Sequence, residues 1–81
     1  MTLTETMTIP AVRGATVRAV SARRWRVLDR RGRVIGHLRA ESAADGTRFH
    51  AERFDFRGAR MRDLGAFWSV QDAVDCLRHL R

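Results

Sequence analysis

The segment LGAFWSVQDAVDCLRHL, Leu64 to Leu80, holds a strand end, a junction and a helix in immediate succession. Leu64, Gly65, Ala66, Phe67 and Trp68 make the apolar strand end. Val70, Ala73, Val74, Leu77 and Leu80 then recur at helical spacing and define one apolar stripe, with Gln71, Asp72, Asp75 and Arg78 on the opposite face. Ser69 sits where an N-cap is needed, because its hydroxyl can accept a hydrogen bond from a free first-turn amide. Asp72 and Asp75 lie toward the positive end of the helix dipole, and Arg78, His79 and Arg81 lie toward the negative end. A helix of about three turns is not stable alone in water, so its stripe must lie on something. The upstream sequence supplies a sheet.

Arg23 to Glu41 reads as a hairpin. Trp25 and Val27 alternate with Arg24 and Arg26, and the turn Asp29-Arg30-Arg31-Gly32 places glycine where a short loop requires positive φ. On the return strand Val34, Gly36, Leu38 and Ala40 form one face, and Ile35, His37, Arg39 and Glu41 form the other. Glycine at position 36, inside a strand, indicates a bulge or the close approach of another element. After a polar connection ending in Asp45-Gly46, Thr47 to Phe56 reads as the next strand, with Phe49 and Ala51 toward the core. The apolar phase then shifts to Phe54 and Phe56. Either a bulge intervenes, or these rings lie on the face away from the helix and, with Leu28 and Ile35, form a second apolar patch suited to a dimer interface. Gly58 turns the chain into a last strand, Met61 to Trp68. Thr16 to Ser21 has the pattern of a short edge strand. Residues 1–15 are expected to be a flexible N-terminal segment or an arm that pairs with a neighbouring sheet.

The pattern implies an α+β domain over residues 16–81, with a three- to four-stranded antiparallel sheet packed on one face by a single C-terminal helix. At 81 residues the core is small, and a homodimer is expected. The single cysteine, Cys76, excludes an intramolecular disulfide and a cysteine-based zinc cluster. It flanks the helix stripe, where a packed small hydrophobe is the commoner role. The absence of a membrane-length apolar run or a signal-like N-terminus implies a cytoplasmic protein with no membrane partner.

Charge is the most pronounced compositional feature. The formal net charge is +7, all sixteen basic residues are arginine, and lysine is absent. Codon composition can account for choosing arginine over lysine, but it does not account for the imbalance. Between Arg13 and Arg39 the only acid is Asp29. Such a segment attracts polyanions, nucleic acid among them, although a solvated basic face without a partner has the same composition.

Little in the chain points to catalysis. No serine lies in an elbow motif, no glycine-rich phosphate loop is present, and the lack of lysine removes P-loop and Schiff-base chemistry. His37 and His50 fall on adjacent predicted strands, a weak metal pattern without a carboxylate pair. A non-enzymatic protein without cofactor or metal is expected. Trp25 and Trp68 have two possible roles: core area, the commoner one in a small sheet, or stacking on a base beside arginines.

The order of an arginine-rich antiparallel sheet followed by one amphipathic helix resembles the AP2-type domain and the arm-binding domain of tyrosine-family phage integrases. The likeness rests on Leu64-Gly65-Ala66-Phe67, then Trp68-Ser69 and Asp72-Ala73 in the first helical turn. The basic strands Arg24-Trp25-Arg26-Val27 and Arg48 to Arg62 are similar in character. The tyrosine-arginine-glycine-valine opening of the plant domain is absent, and the first hairpin is longer than in the integrase arm. The resemblance implies DNA binding through the sheet. Strand arginines and tryptophans would make the contacts, with Arg24, Trp25, Arg26, Arg39 and Arg62 in the matching positions. Together with the basic hairpin, the nucleic-acid-binding candidates are Arg23, Arg24, Trp25, Arg26, Arg30, Arg31, Arg33, Arg39 and Arg62. The alternative is a homodimeric protein-interaction or scaffold module.

Overall fold

A computed structural model describes residues 7–79. Strands β1 (Thr16–Ser21), β2 (Arg24–Leu28), β3 (Val34–Ala43), β4 (Gly46–Asp55) and β5 (Arg60–Phe67) precede helix α1 (Val70–Arg78). The strands form one sheet in the order β1-β2-β3-β4-β5, and each neighbouring pair is antiparallel. The α+β class with a C-terminal helix is as expected. The strand count is corrected to five, because Thr16–Ser21 pairs along β2 from Thr16↔Leu28 to Ala19↔Trp25. Exposure along nearly all of that strand weakens its hydrophobic signal, and main-chain pairing with β2 supplies what its side chains do not.

The helix begins where the sequence places it. Ser69 has extended backbone, and its hydroxyl accepts from the Asp72 amide at 3.1 Å. Val70, Ala73, Val74 and Leu77 are buried against Trp25, Val27, Leu38, Ala40 and Ala51 of the sheet. Leu80 lies outside the described residues. Gly36 marks the closest approach of helix to sheet. A Cβ there would stand 2.5 Å from a Leu77 methyl and 2.7 Å from the Glu52 carbonyl oxygen, which cannot move aside. Of the two expected reasons for glycine at this position, close approach of the helix is one the structure bears out.

Residues 7–15 carry no strand or helix, but they are part of the fold. Met7, Ile9, Val12 and Ala15 pack against the core. The main chain of Arg13 exchanges two hydrogen bonds with the Gln71 side chain, at 2.9 and 3.3 Å. The earlier part of the expected flexible segment, residues 1–6, lies outside the described residues.

The phase shift near Phe54 is not a bulge in β4; the irregularity lies in the partner strand. Ala51 pairs with Gly65 but Glu52 pairs with Asp63, which leaves Leu64 as the extra residue of a bulge in β5. Strand β4 keeps its alternation, so Phe54 shares the face of His50 and Glu52, away from the helix.

Candidate nucleic-acid interface

Two surfaces carry the arginines. The first is the sheet face opposite the helix. Register places Arg24, Arg39 and His50 in one row across β2, β3 and β4. The next row holds Arg18, Arg26, His37, Glu52 and Asp63. The centre of this face is an ion-pair network. Glu52 is 6% exposed. Arg39 Nε donates to its Oε2 at 3.4 Å, and Arg24 Nη2 stands 3.4 Å from its Oε1. The Arg24 contact lacks hydrogen-bond geometry, since that oxygen has no donor among the described residues, so it is a Coulombic contact only. Arg39 also reaches Glu41 at 3.5 Å and Asp63 at 3.8 Å. His50 lies between those two acids, with Nδ1 2.7 Å from Asp63 and Nε2 3.3 Å from Glu41.

Titration behaviour follows this geometry. The hydrogen bond and charge of His50, reinforced by Arg39, hold the Glu41 carboxyl below its usual range. Desolvation lowers the His37 pKa, and the nearby Arg26 and Arg24 guanidinium groups lower it further. His37 Nδ1 is buried without a hydrogen-bond partner among the described residues, in keeping with a neutral ring.

The second surface is the end of the sheet formed by the β2–β3 and β4–β5 turns. In an antiparallel meander these two turns fall at the same end. They bound a cleft lined by Arg30, Arg31, Arg33, Arg53, Phe54 and Phe56, among others. The β2–β3 turn is fixed by Asp29, whose Oδ1 accepts from the amides of Arg31 and Arg33 at 2.8 and 2.9 Å, while Gly32 adopts φ 81°. Those bonds, with the Arg33 guanidinium at 3.1 Å, hold the Asp29 carboxyl below its ordinary pKa. Their effect is to hold Arg30 and Arg31 outward, exposed. Across the cleft, Arg53 pairs with Arg62 in register, and Arg57 and Arg60 flank the β4–β5 turn. Among the described residues, no acid forms an ion pair with Arg30, Arg31, Arg53, Arg57, Arg60 or Arg62. Phe54 and Phe56 stand between these arginines with ring centroids 4.9 Å apart in an edge-to-face pair.

The sequence candidates therefore divide. Arg30, Arg31 and Arg33 meet at the cleft, and Arg62 lies beside Arg53 and Phe54 on its far side. Arg24 and Arg39 oppose each other on the sheet face but are held by acids. Arg23 bonds to the Ala40 carbonyl and the Ser42 hydroxyl. Arg26 is exposed on the sheet face. Trp25 is corrected from contact candidate to core residue: it is 2% exposed and packs 6.3 Å from the Phe49 ring, so it cannot stack on a ligand in this fold. Trp68 is more than half exposed and lies under the Arg48 guanidinium at 4.7 Å, at the opposite end of β4 from Phe54. Arg53 lines the cleft without having been a candidate, and Arg57 and Arg60 stand near it in the β4–β5 turn. The signal was the alternation Arg53-Phe54-Asp55-Phe56-Arg57, where basic and aromatic side chains interleave.

Comparison of the chain with protein-family models, curated proteins and solved structures finds no match in any of the three. No helix among the described residues is long and apolar enough to cross a membrane.

Proposed function

We propose that this protein binds nucleic acid without catalysing a reaction, and that it does so through the arginine-rich turn end of its sheet. The observation that carries this reading is the cleft itself. Exposed arginines without acid partners among the described residues converge there from both hairpins, while Arg24 and Arg39 of the flat sheet face are paired with Glu41, Glu52 and Asp63. Guanidinium groups held outward by a rigid turn suit phosphate oxygens, which they can meet with paired N–H donors. The sheet-based DNA contact implied by the AP2-type resemblance thus moves, in this reading, from the sheet face to its end.

Phosphate contacts dominate such binding and make it salt-dependent. With about five contacts, the logarithm of affinity falls with the logarithm of salt at a slope of roughly −4.5 on duplex and −3.5 on single strands. Titration of the full chain against labelled DNA from low to physiological salt tests this. Absence of binding to either form at low salt removes the reading.

A second reading has its own support. Phe54, Phe56 and Val34 are large apolar side chains exposed at this same end. Apposed against a second copy they would form a homodimeric interaction module. The arginines around them argue against it, because a two-fold contact there would bring like charges together. Light scattering with and without DNA separates the two readings. A dimer that dissociates when Phe56 is truncated favours the second.

A further inference from the structure

We propose that the nucleic acid bound at the turn end is single-stranded, with a base stacked on the ring of Phe56. This inference rests on the reading above and specifies its ligand. Phe56 is 87% exposed and, with the exposed Phe54 and Val34, gives this end of the sheet an apolar surface. Its ring meets Phe54 at an interplanar angle of 85°, and Asp55 pins the turn by accepting from the Arg57 amide at 3.0 Å. An edge-to-face contact covers at most one face of one ring, which leaves an aromatic face of Phe56 open to water. Arg53 and Arg57 flank the aromatic pair in sequence, and Arg30 and Arg31 line the cleft beside it.

Exposed aromatic faces set among cationic groups are the elements of single-strand recognition. Arginines follow the backbone while aromatic rings take successive bases. A duplex already stacks its bases on one another and offers an aromatic ring no free partner. Phosphate contact alone would leave Phe56 in water. Stacking of this kind tolerates any base, since every base has a π-face.

The test uses the full chain, a fluorescein-labelled twelve-nucleotide thymidine strand and a mixed-sequence duplex of equal length. At a fixed low salt the single strand is expected to bind about tenfold more tightly than the duplex. Phe56→Ala should remove that preference, weakening single-strand binding about tenfold while leaving the salt slope and the duplex affinity in place. Phe56→Trp should retain the affinity, and its added fluorescence should be quenched when the strand binds. Equal or tighter binding of the duplex overturns the inference, as does a Phe56→Ala chain with unchanged single-strand affinity. Both outcomes leave the basic cleft as a phosphate site. Failure of either nucleic acid to bind removes the inference and the reading beneath it together.

Discussion

The flat face of the sheet and its turn end are built from the same residue types, yet they present opposite characters to a ligand. On the face, Arg24 and Arg39 converge on the buried Glu52, and Glu41, Asp63 and His50 complete the network. At the turn end, Arg30, Arg31 and Arg53 line the cleft with Asp29 tied to its own turn. A local count of arginines does not measure available charge. What decides is whether a carboxylate comes within reach of each guanidinium, along the strand or diagonally across it. On the face Glu41, Glu52 and Asp63 reach Arg24 and Arg39; at the turn end Asp29 reaches Arg33, and Asp55, although opposite Arg60 in register, forms no ion pair among the described residues.

The largest effect that could break this contrast is expected at the turn end. Replacing Arg30, Arg31 and Arg53 together by alanine should weaken DNA binding roughly 30- to 100-fold at low salt and reduce the salt slope by about 2 to 3. Thermal stability should stay within about 0.5 kcal/mol, because these side chains are exposed and unpaired. The matching Arg24→Ala, Arg39→Ala chain should do the reverse, with a clear stability loss and little change in slope. If the face pair costs more affinity than the turn triple, the assignment is inverted.

Next in size is Glu52→Gln. Removing the shared carboxylate should cost about 1–3 kcal/mol by chemical denaturation, less than for a fully buried pair because both arginines are partly in water. It should also release Arg24 and Arg39, so that polyanion affinity rises and the salt slope steepens. Unchanged affinity would mean that the face cannot reach the ligand even when its charge is freed.

The pH dependence of stability reports on the face through His37 and Glu41, and on the β2–β3 turn and the helix through Asp29 and Asp75. The folded state resists charging His37, whereas the unfolded chain does not. Stability should therefore be level above about pH 7 and decline as pH falls through the ordinary histidine range near 6.5. Glu41, Asp29 and Asp75 have depressed folded values, so their contribution is present above the ordinary carboxylate range and is lost as pH falls below it toward those values. His37→Asn should flatten the upper limb of a melting-temperature profile and leave the acid limb. The smallest effect is expected from Ser69→Ala, which touches neither surface. Loss of the cap should cost about 1 kcal/mol, a melting shift of roughly 4–8 °C. DNA affinity should not change, which separates binding effects from general destabilisation.

Much of the fold was legible because its signals are local. The Ser69 cap, the helical stripe, the Asp29–Gly32 turn and the constraint at Gly36 each lie within a few residues. The edge strand β1 was harder to read, because its stability comes from main-chain pairing and its exposed side chains leave a faint pattern. The candidate site was less legible. Arg23, Arg24 and Arg39 are as basic in the sequence as Arg30 and Arg31, and only register shows that the former are engaged internally. Trp25 has the composition of a contact residue, but the phase it shares with Val27 assigns it to the core. Arg53 comes beside Arg30 and Arg31 only when the β4–β5 turn folds to the same end as the β2–β3 turn.

The bulge at Leu64 has a reach beyond its own strand. Because β5 carries one surplus residue there, Asp63 comes up beside Arg39 and His50, while Leu64 and Phe67 still turn inward beneath the helix. Pair the same residues without the bulge, and strict alternation would set Leu64 opposite Glu52 and Asp63 opposite Arg53, which turns the acid toward the helix side and away from Arg39. The electrostatic map of this small protein is thus written in pairing register as much as in composition, and a slip of one residue along β5 would rewire its surface while leaving every amino acid in place.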